Sequence, residues 1–205
     1  MPMKLYYTAN SPFARKLRIF VREAQLIDRI EEIKVVTRKP DNPLLHHGPT
    51  GRVPALLLAD GTLLIESAII CQYLSAFSSL RLRPASASAQ AQDMALDGLG
   101  LELMDSLSLR AREQLYRDPE ERSASMRDYE AARCQRCYDY LETRLPAIHP
   151  DQPLSLGAIS LAAAMATAEQ ALLAEDWRPQ HPALARWYDD VARRPSLTET
   201  AYPGW

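Results

Sequence analysis

The segment from Gly51 to Ser67 constrains the fold more than any other part of the sequence. It contains two short apolar runs, Ala55–Leu58 and Leu63–Ile65, with Asp60-Gly61 between them. Glycine accepts the positive φ that a primed two-residue turn requires, so this pattern predicts two antiparallel strands. The segment therefore indicates a β-hairpin.

A proline stands directly before the first strand of this hairpin. Pro54 has no N–H to donate to a sheet, and it restricts Val53 to an extended conformation. We expect the polar groups of Val53 to face something other than a neighbouring strand. The bond between the two residues is a candidate for the cis isomer, which is accessible mainly before proline.

A helix is expected where the hairpin ends. Glu66-Ser67 comes first, and apolar residues then recur at helical spacing in Ile69, Ile70, Tyr73, Leu74 and Phe77. Serine is a favoured N-cap, and the free N–H groups of a first helical turn attract an anion. We therefore predict Ser67 as the N-cap of this helix.

Together these features resemble the glutathione site of the glutathione S-transferase superfamily. The thioredoxin-like domain of that superfamily carries a Val-Pro before its third strand and a Glu-Ser at its third helix. The chemistry suits a tripeptide, because an extended Val53 can pair with a peptide backbone. Glu66 can bind the ammonium group of the γ-glutamyl end, and Ser67 its carboxylate. Arg52 stands where relatives often carry Lys, Arg or Gln, and can bind the glycyl carboxylate, with an ordinary exposed surface arginine as the alternative.

The opening of the chain reads as strand, helix, strand. Lys4–Tyr7 and Ile33–Val36 are the strand candidates, and Ser11-Pro12 begins the helix with an N-cap and a first-turn proline. A short helix is expected within Pro40–Gly48. With the hairpin and its helix, this order indicates an α/β thioredoxin-like domain over residues 1–77.

After Phe77 the sequence shows no alternating strand pattern. Residues 78–86 carry few packing signals and are interpreted as a linker. Residues 87–205 are predicted to form an all-α domain, with helices over Asp93–Tyr116, Met126–Leu145 and Ser155–Ala174 and another from Pro182. In the resemblance, the buried helix begins with a Ser and carries an Asp three residues later. Ser155 is present, but Ala158 occupies the Asp position, so half of the capping box is missing.

A hydroxyl at the start of the first helix suits thiol activation. A free thiol has a pKa near 8.5, and a hydrogen-bond donor at a helix N-terminus stabilises its thiolate. Ser11-Pro12-Phe13-Ala14 resembles the segment in which serine-type classes such as zeta place the catalytic Ser and omega-like members a Cys. Ser11 is the predicted catalytic residue, with a plain N-cap as the alternative. Tyr7 and Asn10 are the other candidate donors.

The cysteines and histidines point to neither redox nor metal chemistry. Cys134 and Cys137 have the Cys-x-x-Cys spacing, but they lie inside a helical pattern, where we expect them to pack between helices. Cys71 is expected in the core. The pair His46-His47 has no neighbouring Cys and no helical His spacing, so no metal is expected.

Composition and charge further limit the possible partners and location of the protein. A net charge of −2 over 205 residues indicates no nucleic-acid partner, and no apolar run reaches the length of a membrane span. The odd count of three cysteines suits a reducing cytoplasm.

The resemblance implies a homodimeric transferase of detoxification. In it, the glutathione thiolate would attack a small electrophile held between the two domains, with glutathione as co-substrate. Two alternatives remain open. One is a glutathione-binding or protein-interaction module without catalysis. The other is a glutathione-dependent thiol reductase, which Ser11 disfavours because that chemistry needs a Cys. The sequence does not specify the electrophile.

Overall fold

A computed structural model describes residues 2–170, 173 and 175–203. Its four strands are β1 Met3–Tyr7, β2 Ile30–Lys34, β3 Ala55–Leu57 and β4 Leu63–Ile65. Its α-helices are α1 Pro12–Glu23, α2 Ser67–Ser75, α3 Ala87–Tyr116, α4 Ala124–Leu141, α5 Leu156–Ala168, α6 Pro182–Ala192 and α7 Pro195–Thr198. Short 3-10 helices lie at Ile27–Arg29, Pro43–His46 and Pro119–Glu121.

The four strands form one mixed sheet in the order β2-β1-β3-β4. β1 and β2 are parallel and are joined through α1, while β3 pairs antiparallel with both β1 and β4. This is the predicted thioredoxin-like arrangement, and the fold class is confirmed. The predicted second strand, Ile33–Val36, is displaced: β2 begins at Ile30, which pairs with Met3, and Val36 is exposed.

The hairpin turn differs from the predicted primed turn. The Gly61 N–H donates to Leu58 O at 3.1 Å, and the Leu58 N–H donates to Thr62 O at 2.9 Å. A positive φ occurs at Gly61, with a value of 89°, whereas Asp60 has none. The loop therefore has three residues, with an ordinary turn followed by glycine, because only the last position needs the left-handed conformation.

The two faces of the sheet have different cores. Leu5 and Leu56 belong to the large core that also contains buried residues of α1 and α2, such as Leu17 and Ile70. Tyr6 points to the opposite face, where it packs with Leu44 and Ala55. Successive residues of a strand alternate between faces, so β1 contributes to both cores.

The helices of the second domain match the predicted order, with different ends. α3 begins at Ala87, where Ser86 Oγ accepts from the Ala89 N–H at 3.3 Å, and α4 ends at Leu141. α5 is buried along its whole length, as expected. Of the predicted Ser155–Ala174 helix, residues 171, 172 and 174 lie outside the described residues.

Gly100 permits close packing between α3 and α5. A Cβ added there would lie 2.7 Å from the backbone carbon of Ser160. Although a glycine is costly within a helix, this one has a reason inside the chain, which is the close approach of the α3 and α5 backbones.

The predicted linker, residues 78–86, contains no helix or strand. The assignment of domain boundaries to residues 77 and 87 stays a prediction, since the large core continues from Leu5 to Leu197. Among the described residues, no helix combines the length and hydropathy needed to cross a membrane.

Candidate functional site

The register of the sheet brings the predicted site segments to one edge. Tyr6 at the end of β1 pairs with Ala55 at the start of β3, and Ala55 pairs with Ile65 at the end of β4. The residues that follow β1, precede β3 and follow β4 must therefore leave the sheet side by side. These residues include Ser11, Val53-Pro54 and Glu66-Ser67, which are far apart in the sequence.

Ser11 is the N-cap of α1, as predicted. Its Oγ accepts a hydrogen bond from the Ala14 N–H at 3.2 Å, and Pro12 occupies the first helical position. The side chain is partly exposed, and within the described residues its hydroxyl proton has no acceptor. The hydroxyl can therefore cap the helix and still donate to a ligand, because a hydroxyl carries one proton and two lone pairs.

The Val53–Pro54 peptide bond is cis. Pro54 is buried and Val53 is half-buried. Among the described residues, neither backbone group of Val53 makes a backbone hydrogen bond. The expectation that these groups face away from the neighbouring strands is consistent with this geometry.

Asn42 holds the loop that leads into Val53, a role that the sequence analysis missed. Its side-chain amide donates to Gly51 O at 2.7 Å and to Thr37 O at 3.0 Å, and its Oδ1 accepts from the Leu44 N–H at 3.1 Å. Gly51 has a φ of 57°. The signal was Asn42-Pro43, a capping residue and a first-turn proline, which predicts a helix start but not a long-range contact.

The assignment of Ser67 as N-cap is wrong. The N-cap of α2 is Glu66, which has a φ of 68° and makes no side-chain capping bond, and Ser67 is the first helical residue. Ser67 is buried, and its hydroxyl has no hydrogen-bond partner among the described residues. The positive φ of Glu66, rare for a residue with a Cβ, turns the chain sharply from β4 into the helix.

The remaining predicted ligands and donors differ in their surroundings. Arg52 and Glu66 are exposed, and neither forms an ion pair within the described chain. The Arg18 guanidinium lies 4.3 Å from the centroid of the Tyr7 ring, so Tyr7 packs against α1. Asn10 is exposed in the loop between β1 and α1.

A contact between the domains lies at the same edge of the sheet. Lys34 at the end of β2 pairs with Tyr7, so the loop after β2 emerges beside the loop that carries Ser11. In that loop the Arg38 guanidinium lies 3.8 Å from the centroid of the Tyr116 ring, at the end of α3. No periodic pattern in the sequence predicts this contact between Arg38 and Tyr116.

Burial keeps the three thiols protonated. It raises the pKa of Cys71 to about 12 and raises the pKa of Cys134 and Cys137 above the usual range. The expectation that the Cys-x-x-Cys pair packs within a helix is confirmed, because both residues lie in α4. In the described part of the chain, no cluster of His, Cys, Asp and Glu could hold a metal ion.

A cavity lies elsewhere in the molecule. It has a volume of about 1320 Å³ and is lined by the linker, the first half of α3 and the segment after α4. None of the predicted site residues lines it. The candidate site is therefore defined by the sheet register, and this cavity is separate from it.

Comparison with known proteins also indicates a likeness to glutathione S-transferases. Residues 10–76 match the family model of the glutathione S-transferase N-terminal domain. The chain is 25% identical over 203 residues to the uncharacterized GST-like protein YibF of Escherichia coli (strain K12), covering 98% of this chain and 99% of that protein.

Solved structures extend the likeness over nearly the whole chain. A glutathione transferase family member from Pseudomonas fluorescens Pf-5, with bound glutathione, has a TM-score of 0.89 at 28% identity over 98% of this chain and 99% of that one. A glutathione S-transferase from Methylobacillus flagellatus KT, with glutathione bound, has a TM-score of 0.87 at 25% identity over 98% and 100%. The fold, the family-model match and these relatives together support the glutathione S-transferase superfamily for this chain.

Proposed function

We propose that the protein binds glutathione at the edge of the sheet and activates its thiol for attack on a small electrophile. The observation that supports this proposal is the register of the sheet, by which the segments that carry Ser11, Val53-Pro54 and Glu66-Ser67 leave β1, β3 and β4 at the same edge. The neighbouring structures with bound glutathione add support, since their likeness covers both domains.

Each end of glutathione has a suitable partner. The unpaired backbone groups of Val53 pair with the peptide backbone of the ligand, as in strand addition. The Glu66 carboxylate binds the γ-glutamyl ammonium group, and the Ser67 hydroxyl and the first N–H groups of α2 bind the γ-glutamyl carboxylate. Arg52 binds the glycyl carboxylate. The exposure of Arg52 and Glu66 is compatible with these contacts.

Ser11 is the proposed activating residue. Its free hydroxyl proton is donated to the sulfur, and the positive end of α1 adds to the stabilisation of the thiolate. The thiol proton leaves to solvent. The sulfur electron pair then forms a bond to the electrophilic carbon, and the displaced group departs with the electrons of the bond that breaks.

The electrophile is proposed to lie between the domains, close to Arg38 and Tyr116. Tyr116 is 52% exposed and Leu115 is 37% exposed, so the end of α3 offers apolar surface beside the site. An uncharged or aromatic electrophile would be compatible with that surface.

A thiol reductase is the less favoured function. Position 11 carries no sulfur, and burial holds the three natural thiols in the protonated form. No observation in the structure favours it. A binding module without catalysis keeps the same glutathione contacts and differs only in turnover.

A homodimer is part of this proposal. Ile69 on α2 and Met94 on α3 are 52% and 56% exposed, and Phe77 just after α2 is 38% exposed. Exposed apolar side chains on α2 and α3 are proposed to contribute to a self-association surface. Light scattering after gel filtration tests this, and a monomer at micromolar concentration would refute it.

Calorimetry with glutathione at millimolar concentration tests the binding site. We expect wild type to bind and Ser67→Ala to bind more weakly. Ser75→Ala is the matched control, because Ser75 lies at the other end of α2 and its hydroxyl donates to Cys71 O. No binding by wild type refutes the site. Binding without turnover of model electrophiles identifies the non-catalytic module.

A further inference from the structure

A buried ion pair joins the helix that carries Ser11 to the second domain. Lys16 on α1 is fully buried, and its Nζ lies 2.6 Å from Oδ1 of Asp97 on α3. The same oxygen accepts a hydrogen bond of 2.6 Å from the Ser160 hydroxyl on α5. One carboxylate therefore links three helices drawn from both domains.

The linker adds a second cation and a second carboxylate. The Arg83 guanidinium lies 3.9 Å from Oδ2 of Asp97 and 3.8 Å from Oδ2 of Asp93. The other oxygen of Asp93 accepts from the Gly157 N–H at the start of α5. The four charged groups balance, so the network is neutral as a whole.

The network also adjoins α2. Burial raises the pKa of the Cys71 thiol, and the charges of Lys16, Asp97 and Arg83 act on the same thiol. Cys71 lies in α2, four residues after Ser67 at the start of that helix. The charges therefore lie close to both α1 and α2, the two helices whose first turns form the candidate glutathione site.

Stability alone does not explain a buried network of this kind. Removing charges from water costs free energy that their attraction often only offsets, and well-packed apolar residues are frequently as stable. A hydrogen-bonded ion pair is directional, so it favours one relative placement of the helices that it joins. An apolar contact does not have this directional preference. Here those helices are α1, α3 and α5.

We propose that Lys16 and Asp97 are positioning residues, which fix α1 and the Ser11 hydroxyl relative to the helical domain. The inference rests on the proposed function, in which glutathione is bound by the first domain and the electrophile lies against the second. The glutathione sulfur and the electrophilic carbon are then held by different domains. The ion pair between α1 and α3 fixes how those two domains are placed relative to each other. A misplacement of about 1 Å in such a geometry can cost about 100-fold in rate.

The double variant Lys16→Met/Asp97→Leu separates positioning from stability. It replaces the ion pair by apolar side chains of similar size, so we expect a folded protein that retains the glutathione Kd, with some loss of stability because the buried Ser160 hydroxyl loses its acceptor. We expect kcat/KM for the electrophile to fall about 10- to 100-fold. Wild-type kcat/KM in the folded double variant overturns the proposal.

A second variant serves if the double variant does not fold. Ser160→Ala removes one hydrogen bond to Asp97 and leaves every charge in place. We expect a folded protein with unchanged glutathione binding and a smaller fall in kcat/KM. The control is Glu199→Gln, which removes the exposed ion pair of 2.9 Å between Arg22 on α1 and Glu199, and should leave kcat/KM unchanged.

A measurement made without substrate tests the positioning role separately from the proposed function. Amide hydrogen exchange in the first turn of α1, at Ala14 and Arg15, should be faster in both network variants than in wild type. Absence of glutathione binding and turnover in wild type refutes the proposed function, and the exchange rates then still test the network. Wild-type exchange rates in both variants overturn the positioning role whatever the activity.

Discussion

Asp93 on α3 caps α5: its Oδ1 accepts a hydrogen bond of 3.0 Å from the Gly157 N–H. The Leu156 N–H donates to Leu82 O at 3.1 Å, and the Ala158 N–H donates to Ser155 Oγ at 3.2 Å. The sequence alone predicts a weakened first turn, because Ala158 replaces the Asp of the capping box. A carboxylate from another helix compensates, so each amide of this turn has an acceptor.

Asp93→Ala should therefore destabilise the fold. Loss of the acceptor leaves a buried N–H unpaired, which costs about 1–3 kcal/mol. Asp93→Asn keeps an acceptor oxygen at the same place and should cost less. Urea unfolding followed by circular dichroism gives both values. Equal losses in the two variants would show that the charge of Asp93, and not its capping bond, matters.

Ser11→Ala should raise the pKa of the bound glutathione thiol. Losing a hydrogen bond to a charged sulfur costs about 1.5–3 kcal/mol, which corresponds to about 1–2 pKa units. Ultraviolet difference titration of the thiolate measures this shift. The variant also loses an N-cap, at a cost of about 1 kcal/mol.

A second cap separates the two effects. Ser123→Ala removes the N-cap of α4, whose Oγ accepts from the Met126 N–H at 3.2 Å, the same distance as at Ser11. It should lower Tm to a similar extent without changing the thiol pKa. If the pKa stays low in Ser11→Ala but rises in Tyr7→Phe, Tyr7 is the activating residue.

Ser11→Cys should introduce reduction of glutathione mixed disulfides. The new thiolate at the start of α1 attacks the glutathione sulfur, releases the other thiol and is freed by a second glutathione, which yields glutathione disulfide. The buried natural thiols contribute little background. A variant no faster than wild type would mean that position 11 does not face the sulfur.

Tyr116→Ala should change the KM of the electrophile while leaving the glutathione Kd unchanged. The variant removes apolar surface proposed to contact the electrophile, so we expect its KM to rise by a few-fold. Tyr129→Ala is the control, since Tyr129 is 64% exposed on α4. Equal effects of the two variants would remove Tyr116 from the electrophile site.

Glu32 should contribute to acid sensitivity. Burial alone would raise its pKa, but hydrogen bonds from Arg22 at 2.7 Å and Arg18 at 2.9 Å outweigh burial and hold the pKa below its ordinary value of 4.5. The folded pKa is the lower one, so this stabilisation is complete above the ordinary value. It is lost as pH falls through the folded value.

The matched pair is Glu32→Gln and Glu31→Gln, because Glu31 lies on the same strand and is exposed. Unfolding free energies between pH 6 and pH 3 should fall less steeply in Glu32→Gln than in wild type, and Glu31→Gln should follow wild type. A Glu32→Gln curve parallel to that of wild type would contradict the assignment.

Local chemistry made much of this fold readable from the sequence. The cap at Ser11, the cis bond between Val53 and Pro54 and the short strands of the hairpin depend on residues within a few positions of one another. The buried α5 follows from composition alone, because a helix apolar on every side must be enclosed.

Local sequence patterns did not predict the exact helix and strand ends or the long-range polar contacts, which depend on the tertiary structure. β2 begins at Ile30 because it pairs with Met3 along the whole of β1, and Ser67 is displaced from the cap because Glu66 takes a positive φ. Asn42 with Gly51 and Lys16 with Asp97 carry no periodic signal. Such pairs form because a buried polar group requires a partner wherever the chain brings one within reach, and sequence separation places no limit on that partner.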